Sequence, residues 1–451
     1  MRVDERDTSL APVPGAARRE PLGILAGGGP LPIEVADAGA RGGRPIHIVA
    51  LDGFAGEEVA RYPHERVSIG QLGRMIASFK QAGASEIVIA GAIQRPNLGA
   101  LRIDWGFVRN LPTVLALTRG GDDSVLRRVV RFFEGHGFTV IGASDVVPEL
   151  LSPLGSIART KPSADHDRAI ARAAALVAAL GRFDIGQGVV ATADDVVAIE
   201  GVRGTDAMLR DLGPGGLSAA LGRGGVLVKL AKPGQEMRID LPTIGPETVR
   251  GAAAAGLAGI AVGAAGAIVL GRDRVAELAD STGLFVVGIP PKPAVPEAPP
   301  ERAGQDSGLL EIVARRAPTP GERRDIGIGR QVLDVLRAHG AGKAAFVSRE
   351  HVLAICGKLD LPAFISAHAR TRTWGRRALG RRRGVVVIDG AATVDGKAET
   401  ILDVALFSAA KDTSIAGIVV LAPLSEAKAR DDIVAWANEA GVFLMCRTDR
   451  P

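Results

Sequence analysis

The sequence contains few aromatic residues and few cysteines. Aromatic side chains make up 4% of its 451 residues, with one tyrosine and three tryptophans. Because proteins that bind single-stranded nucleic acid stack the bases on aromatic rings, this scarcity argues against a nucleic-acid partner. The two cysteines, Cys356 and Cys446, are too few and too far apart for a disulfide framework or a zinc site, which favours a reducing compartment such as the cytoplasm.

Long apolar runs are absent as well. No run reaches the roughly 18 residues that cross a bilayer, and residues 1–20 are charged where a signal peptide needs an apolar core. We therefore expect residues 1–20 to form a flexible tail. The net charge of +5 includes clustered arginines, notably within residues 370–383. Such clusters are usually solvated surface, but they also suit an anionic lipid surface.

Small and aliphatic residues are abundant. The chain is 47% hydrophobic and contains 58 glycines, a balance typical of packed α/β layers, and its length predicts roughly three domains. We predict a Rossmann-like nucleotide-binding domain at residues 21–160 and a catalytic α/β domain at residues 161–288. A proline-rich linker follows at residues 289–325, and a degenerate repeat of the catalytic domain at residues 326–451.

A glycine-rich turn follows the first predicted strand, Leu22–Ala26. Backbone N–H groups in such a turn can approach a phosphate, but the spacing is not the strict dinucleotide fingerprint, and close packing of helix on strand is the alternative explanation. Asp52, after the next predicted strand, is either a ribose ligand or an ordinary loop acid. The turn consists of Gly27, Gly28 and Gly29.

Two further loops of this domain offer polar groups to a nucleotide. Gly91 and Arg95 follow the predicted strand Glu86–Ala90, and the carboxyl ends of strands are where ligands of α/β sheets bind. Asp122 and Asp123 begin a predicted helix. They are either ordinary capping residues or groups that hold a nucleotide and its metal.

The most informative stretch, Gln235–Gly245, places one carboxylate between an apolar strand and a helix start. Asp240 lies in it, after a predicted strand at residues 225–230 and before an alanine-rich helix predicted at residues 248–255. An anion held there would meet helix-terminal N–H groups and lysines together, which suggests phosphate chemistry. The alternative is that Asp240 merely caps the helix through the nearby turn.

Two more acids and two lysines accompany Asp240. Glu200 and Asp206 occupy comparable positions near a strand end and a helix start, and converging acids need a cation or a raised pKa to offset their repulsion. We therefore predict that Asp240, Glu200 and Asp206 bind Mg²⁺ or Mn²⁺. Lys229 and Lys232 are the candidate oxyanion partners, unless they simply face solvent.

Together these motifs resemble the LpxI family, the UDP-2,3-diacylglucosamine pyrophosphatases of lipid A biosynthesis. The resemblance covers about residues 21–290. It is specific because the motifs occur together in a fixed order. These are Gly27-Gly28-Gly29, Ala90-Gly91 with Arg95-Pro96, Gly121-Asp122-Asp123 with Leu126-Arg127-Arg128, Asp184-Ile185-Gly186-Gln187-Gly188, Glu200 with Gly204-Thr205-Asp206-Ala207-Met208-Leu209, and Asp240-Leu241-Pro242-Thr243-Ile244-Gly245.

The resemblance implies an activity and a site. It implies hydrolysis of UDP-2,3-diacylglucosamine to 2,3-diacylglucosamine 1-phosphate and UMP, with a divalent metal and with Asp240 as the essential aspartate. Gln187 and Thr205 join the nucleotide-binding residues through the matching motifs. A lipid-linked substrate implies peripheral contact with the inner membrane, and a homodimer is among the assemblies that the resemblance allows. The alternatives are a non-hydrolytic nucleotide-sugar or lipid-phosphate binding protein and, from the glycine turn alone, a nicotinamide oxidoreductase.

The last third of the sequence resembles the second domain but lacks that domain's candidate acidic residues. Residues 415–420 match residues 257–262, and residues 352–357 match residues 196–201, after a proline-rich run at residues 289–300. Cys356 stands opposite Glu200, and Ile388 stands opposite Lys229. Pro362 stands opposite Asp206, and Asp403 matches Asp240 if a gap is allowed. We therefore predict a fold-retaining domain without catalytic activity.

Overall fold

The computed structural model describes residues 20–93, 102–109, 122–213, 224–290, 309–357, 361–369, 384–390, 398, 401–424 and 427–448. The predicted tail before residue 20, residues 291–308 of the predicted linker, Arg95 and the arginine cluster at residues 370–383 lie outside these ranges. The chain divides into two compact units, one of residues 1–94, 101–111 and 130–147, and one of residues 95–100, 112–129 and 148–451. The predicted boundary at residue 160 therefore falls inside the second unit.

The first unit contains a five-stranded, all-parallel sheet. Its strands are β1 (Leu22–Ala26), β2 (Ile46–Leu51), β3 (His64–Val67), β4 (Glu86–Ala90) and β5 (Thr139–Ile141). The helices from β1 to just beyond β5 are α1 (Leu31–Arg41), α2 (Leu72–Gln81), α3 (Trp105–Arg109), α4 (Asp122–Glu134) and α5 (Ala143–Val146). Residues 122–129 of α4 belong to the second unit and residues 130–134 to the first. The strand order is β3-β2-β1-β4-β5. Because the order reverses between β1 and β4, the loops that follow these two strands meet at the carboxyl edge of the sheet.

The second unit begins with a six-stranded mixed sheet. Its elements are β6 (Gly155–Ser156), α6 (Ala164–Leu180), β7 (Gly188–Ala191), β8 (Val196–Ile199), α7 (Thr205–Asp211), β9 (Val226–Lys229), β10 (Thr243–Ile244), α8 (Pro246–Ala254), β11 (Gly259–Gly263), β12 (Ile268–Val269), α9 (Arg272–Thr282) and β13 (Phe285–Ile289). The sheet order is β6-β13-β11-β9-β7-β8, in which β9, β11 and β13 are parallel, while β10 and β12 form a separate pair. We call this the catalytic sheet, after the catalytic domain predicted at residues 161–288.

A second six-stranded sheet completes the unit. Its elements are β14 (Leu310–Ile312), α10 (Pro320–Ala338), β15 (Ala344–Ser348), β16 (His351–Cys356), α11 (Leu361–Ala369), β17 (Val385–Ile388), α12 (Val404–Asp412), β18 (Gly417–Pro423), α13 (Ala427–Ala440) and β19 (Phe443–Arg447). The order is β14-β19-β18-β17-β15-β16. We call this the C-terminal sheet.

The two sheets of the second unit have the same topology, strand for strand. The parallel and antiparallel pairings occur at the same places in both, and both have a register shift between their last two strands in the order. Gly259 lies against the ring of Phe285, and Gly417 lies against the ring of Phe443 in the same way. The two sequences therefore satisfy the same packing constraints.

Corresponding helices begin in the same way. Ser163 caps α6 by accepting from the backbone N–H of His166, and Thr319 caps α10 by accepting from that of Glu322. A side-chain oxygen at this position satisfies one of the unpaired donors of the first helical turn, which explains why both helices start here.

The start of α12 shows which residue of the catalytic sheet corresponds to Asp403. Asp403 accepts a hydrogen bond from the backbone N–H of Leu406 at the start of α12, whereas the topologically equivalent α8 has Gly245 at its N-cap. Asp403 therefore corresponds to Gly245, and the suggested match with Asp240 is wrong.

Buried aliphatic residues connect the two sheets of the second unit. One cluster contains Leu176 and Leu180 of α6 together with Val332 and Leu336 of α10. Since burial of apolar surface contributes about 25 cal/mol per Å², this shared cluster joins the sheets firmly. Among the residues that the structure describes, no helix is both long and apolar enough to span a membrane.

Candidate active site

Asp240 lies between two glutamine side chains at the carboxyl end of β9. Its Oδ2 accepts a hydrogen bond from Nε2 of Gln187 at 3.2 Å and another from Nε2 of Gln235 at 2.6 Å. The following helix, α8, begins five residues later with Gly245 at its N-cap. Asp240 therefore does not cap that helix, and the capping alternative is wrong.

The carboxyl of Asp240 is half-buried and partly desolvated. Burial raises its pKa above the ordinary value, and the nearby charge of Asp184 raises it further. Lys232 and the hydrogen bonds from Gln187 and Gln235 act in the opposite direction, because they favour the charged form. The net shift is upward, so desolvation outweighs the neighbouring donors. Perturbation of this kind is typical of functional carboxylates.

Gln235 fixes the loop that carries Asp240. Its Oε1 accepts from the backbone N–H of Lys232 at 2.8 Å, while its Nε2 donates to Asp240. Lys232 is buried and forms an ion pair with Asp184, a residue whose backbone is left-handed with φ of 55°. Strain of this sort persists where surrounding contacts determine the conformation. The alternative that Lys232 faces solvent is wrong, since its exposed fraction is 7%.

A second polar network lies at the end of β9. Lys229 is 6% exposed and donates to Oγ1 of Thr205 at 2.6 Å and to the carbonyl oxygen of Thr243 at 3.2 Å. Thr205 in turn donates to Oε1 of Glu200 at 2.9 Å. These are the two hydrogen bonds of Lys229 among the described residues, which leaves one of its three donors for a ligand.

The other oxygen of Glu200 is buried without a partner in the described part of the chain. It lies over Gly188, where an added Cβ would come within 2.4 Å of it. A buried carboxylate oxygen without a donor is costly, so this position needs a water molecule, a cation or a ligand group. Glu200 is thus held by a hydroxyl on one oxygen and is available for a ligand on the other.

The three acids predicted to bind metal do not assemble in one cage. Asp240 belongs to the glutamine network and Glu200 to the Thr205 network, while Asp206 is exposed on α7. In the described ranges, no group of three or more His, Cys, Asp or Glu side chains is arranged to hold a metal ion. The role of each acid toward a metal stays a prediction.

The glycine turn of the first unit packs against the loop after β4. The N–H groups of Gly27 and Gly28 donate to the carbonyl oxygens of Ala90 and Ala92, each at 2.8 Å. A Cβ on Gly91 would come within 2.7 Å of the carbonyl oxygen of Gly28, and Gly91 has φ of 93°. Close backbone approach therefore requires these glycines.

Gly29 differs from its neighbours in the turn. It is exposed, has φ of 87°, and an added Cβ would meet no atom within 4 Å. Gly29 lies just before α1, where backbone N–H groups favour anions. Nucleotide binding by the turn stays a prediction.

The remaining predicted nucleotide-binding residues are described only in part. Arg95 lies outside the described residues. Asp122 and Asp123 begin α4, but their side chains are not among those described. Asp52 is exposed after β2.

Sequence reasoning missed three contributors to the site, Asp184, Gln235 and Thr243. All three lie in stretches that the sequence singled out, but the roles of Asp184 and Thr243 depend on contacts with Lys232 and Lys229, which are distant in sequence. Gln235 could have been noticed, because a glutamine five residues before a candidate aspartate in one loop is a plausible hydrogen-bond donor to it. Nothing in the sequence indicates that Asp184 adopts a left-handed conformation.

The C-terminal sheet lacks the polar groups of this site. In the register of the strands, Ile388 pairs with the first residue of β15 as Lys229 pairs with Gly188 in the catalytic sheet. Cys356 follows Ile355 as Glu200 follows Ile199, and Ile355 and Ile199 occupy equivalent paired positions. Both replacements are apolar and buried. The C-terminal sheet therefore keeps the packing without the lysine or the acid.

Comparison with known proteins places most of the first two-thirds of the chain in one family. Residues 21–150 match the model of the LpxI N-terminal domain, and residues 153–287 match that of the LpxI C-terminal domain. The chain is also 41% identical over 274 residues to UDP-2,3-diacylglucosamine pyrophosphatase LpxI of Caulobacter vibrioides. That alignment covers 60% of this chain and 98% of the relative.

Proposed function

The chain belongs to the LpxI family, and from this we propose that it is a UDP-2,3-diacylglucosamine diphosphatase of lipid A biosynthesis. The substrate would be split into 2,3-diacylglucosamine 1-phosphate and UMP. The observation that carries the proposal is the desolvated carboxylate of Asp240, held by Gln187 and Gln235 beside the buried Lys232. Such a constellation of one acid and a cation suits the cleavage of a diphosphate.

The reaction needs water, a proton acceptor and charge stabilisation. The oxygen of a water molecule bonds to one phosphorus, the bridging oxygen leaves with the other phosphate, and the water loses a proton. We assign Asp240 to orient this water and accept its proton through Oδ1, which accepts no hydrogen bond from any described residue. Lys232 and the remaining donor of Lys229 would stabilise the charge that develops on the phosphate oxygens.

A divalent cation fits this site only if the substrate supplies some of its ligands. Mg²⁺ in proteins is usually held by one or two carboxylates together with substrate phosphates and water. Asp240 or Glu200 can supply such a carboxylate, whereas a cage built from protein ligands alone is not present among the described residues. When bound, Mg²⁺ or Mn²⁺ would neutralise charge on the diphosphate.

The rest of the chain supports this function in three ways. The strand order of the first unit is that of doubly wound nucleotide-binding sheets, so we interpret it as a Rossmann-like domain for the UMP portion. The shared topology of the two later sheets supports a degenerate repeat. A substrate with two acyl chains requires contact with the inner membrane from the cytoplasmic side, and the basic residues suit an anionic surface.

The direct test is release of UMP from UDP-2,3-diacylglucosamine by the purified full chain. We expect release that needs Mg²⁺ or Mn²⁺ and stops when EDTA is added. Release that continues in EDTA would contradict the metal requirement and leave the hydrolase intact. No release under any metal condition, with the substrate still bound, would instead indicate a non-hydrolytic binding protein.

The raised pKa of Asp240 predicts the pH dependence of activity. The carboxyl must be ionised to accept a proton, so turnover should fall as the pH decreases through a pKa above the ordinary aspartate value. A profile of log(kcat/KM) against pH should show this acidic limb. An acidic limb that lies below the ordinary aspartate range would contradict the assignment of Asp240 as the base.

The same shift has a consequence for stability. Because the folded-state pKa of Asp240 is raised above its unfolded value, its favourable contribution exists below the unfolded pKa and is lost as the pH rises through the folded pKa. At neutral pH the charged carboxylate therefore opposes folding. The melting temperature of Asp240→Asn relative to the native protein should increase from pH 4 to pH 7.

A further inference from the structure

The catalytic sheet and the C-terminal sheet meet through their edge strands. β8 is the last strand of one sheet and β16 is the last strand of the other. The backbone N–H of Val202, just after β8, donates to the carbonyl oxygen of Leu353 in β16 at 3.1 Å. Each sheet thus covers an edge of the other that would otherwise present unpaired backbone groups.

The contacts across this junction are reciprocal. A Cβ on Gly201 would lie 2.9 Å from the carbonyl oxygen of Leu353, and a Cβ on Gly357 would lie 2.5 Å from that of Val197. Gly201 and Gly357 are equivalent in the two sheets, and so are Val197 and Leu353. Such reciprocity is the pattern of a two-fold symmetric interface between identical subunits, here formed within one chain.

Helices α6 and α10 are related by the same two-fold pattern. They are equivalent by position and pack against each other, with Leu180 and Leu336 both fully buried in the shared cluster. The junction is therefore extensive and fixed by both helices and edge strands. The C-terminal sheet cannot shift relative to the catalytic sheet without disturbing this packing.

The junction lies beside the segment that carries two residues of the proposed site. Residues 200–205 run from the end of β8 to the start of α7 and bring Glu200 and Thr205 to Lys229. Val202, in the middle of the segment, is the residue bonded to the C-terminal sheet, and the next residue, Arg203, pairs with Asp211 at the end of α7.

We propose that the C-terminal sheet positions residues 200–205 for catalysis. It does so through the hydrogen bond from Val202 to Leu353 and the close approach of Gly357 to Val197. The C-terminal sheet has no catalytic group of its own at the equivalent positions, so its contribution acts through the geometry of Glu200 and Thr205. This inference rests on the proposed hydrolase function, because it assigns those residues to an active site.

Two glycine variants of the full chain separate positioning from a general loss of stability. Gly357→Ala places a Cβ 2.5 Å from a backbone oxygen across the junction, and Gly390→Ala places one 2.4 Å from the backbone oxygen of Leu421 inside the C-terminal sheet. We expect Gly357→Ala to lower kcat about tenfold with KM unchanged, because a small displacement of positioned groups is costly to turnover. Gly390→Ala should leave kcat unchanged.

Hydrogen–deuterium exchange provides a measurement that does not depend on activity. The amide of Val202 should exchange faster in Gly357→Ala than in the native protein, and at the native rate in Gly390→Ala. Equal exchange at Val202 in all three proteins would overturn the positioning role, as would an equal loss of kcat in both variants. If the native protein releases no UMP while exchange at Val202 changes as expected, the hydrolase assignment fails and the structural coupling stands.

Discussion

Replacement of Asp240 by alanine is expected to lower the rate of UMP release about 10³-fold, because the reaction loses the group that orients water and accepts its proton. Folding should be retained, since the carboxylate is desolvated and its charge opposes folding at neutral pH. The measurement is initial UMP release at saturating substrate, with the melting temperature recorded on the same preparations.

Asp403→Ala is the matched control for this prediction. Asp403 caps α12 in the C-terminal sheet, so its removal should cost about 1 kcal/mol of stability and leave turnover unchanged. Asp240→Asn adds a second comparison, because it keeps the shape of the side chain, removes its charge and replaces one acceptor oxygen by an NH2 group. Full activity in Asp240→Asn would show that ionisation of this group is not required.

A second large effect is expected at Lys229. In Lys229→Ile, Glu200 and Thr205 lose their cation, and an uncompensated buried charge costs about 3–5 kcal/mol. We expect loss of UMP release together with a marked decrease in the free energy of unfolding, measured by denaturant titration.

The double variant Glu200→Cys/Lys229→Ile tests whether an uncompensated charge causes the loss of stability in Lys229→Ile. It introduces the residue types found at the equivalent positions of the C-terminal sheet, Cys356 and Ile388, which are both fully buried. The double variant should be more stable than Lys229→Ile alone, since both charges are then absent, and it should remain inactive. Additive loss of stability in the double variant would mean that Glu200 and Lys229 are not coupled.

The regular elements could be predicted from local sequence. The strands at Leu22–Ala26 and Glu86–Ala90 have the predicted bounds, and the helix predicted at residues 248–255 is observed as Pro246–Ala254. These segments follow from apolar runs ended by glycine or proline, which act over a few neighbouring residues. The α/β class and the match between the two later sheets were accessible for the same reason.

The side-chain networks could not be predicted in this way. Asp240 meets Gln187, which is 53 positions earlier, and Lys229 meets Thr205, which is 24 positions earlier. Both pairings depend on which strands lie side by side and on the path of the loops between them. The burial of Lys229 and Lys232 has the same origin, because a lysine in sequence gives no sign that neighbouring elements will enclose it.

The cluster of buried side chains between α6 and α10 also determines how the second unit comes apart. Leu176, Leu180, Val332 and Leu336 contribute to one apolar cluster, so neither sheet can unfold without exposing residues of the other to water. Heating should therefore melt both sheets in a single transition. Truncation within the linker would remove the C-terminal sheet and expose the apolar face of α6 to water. The shortened protein would then need another apolar surface to cover that face.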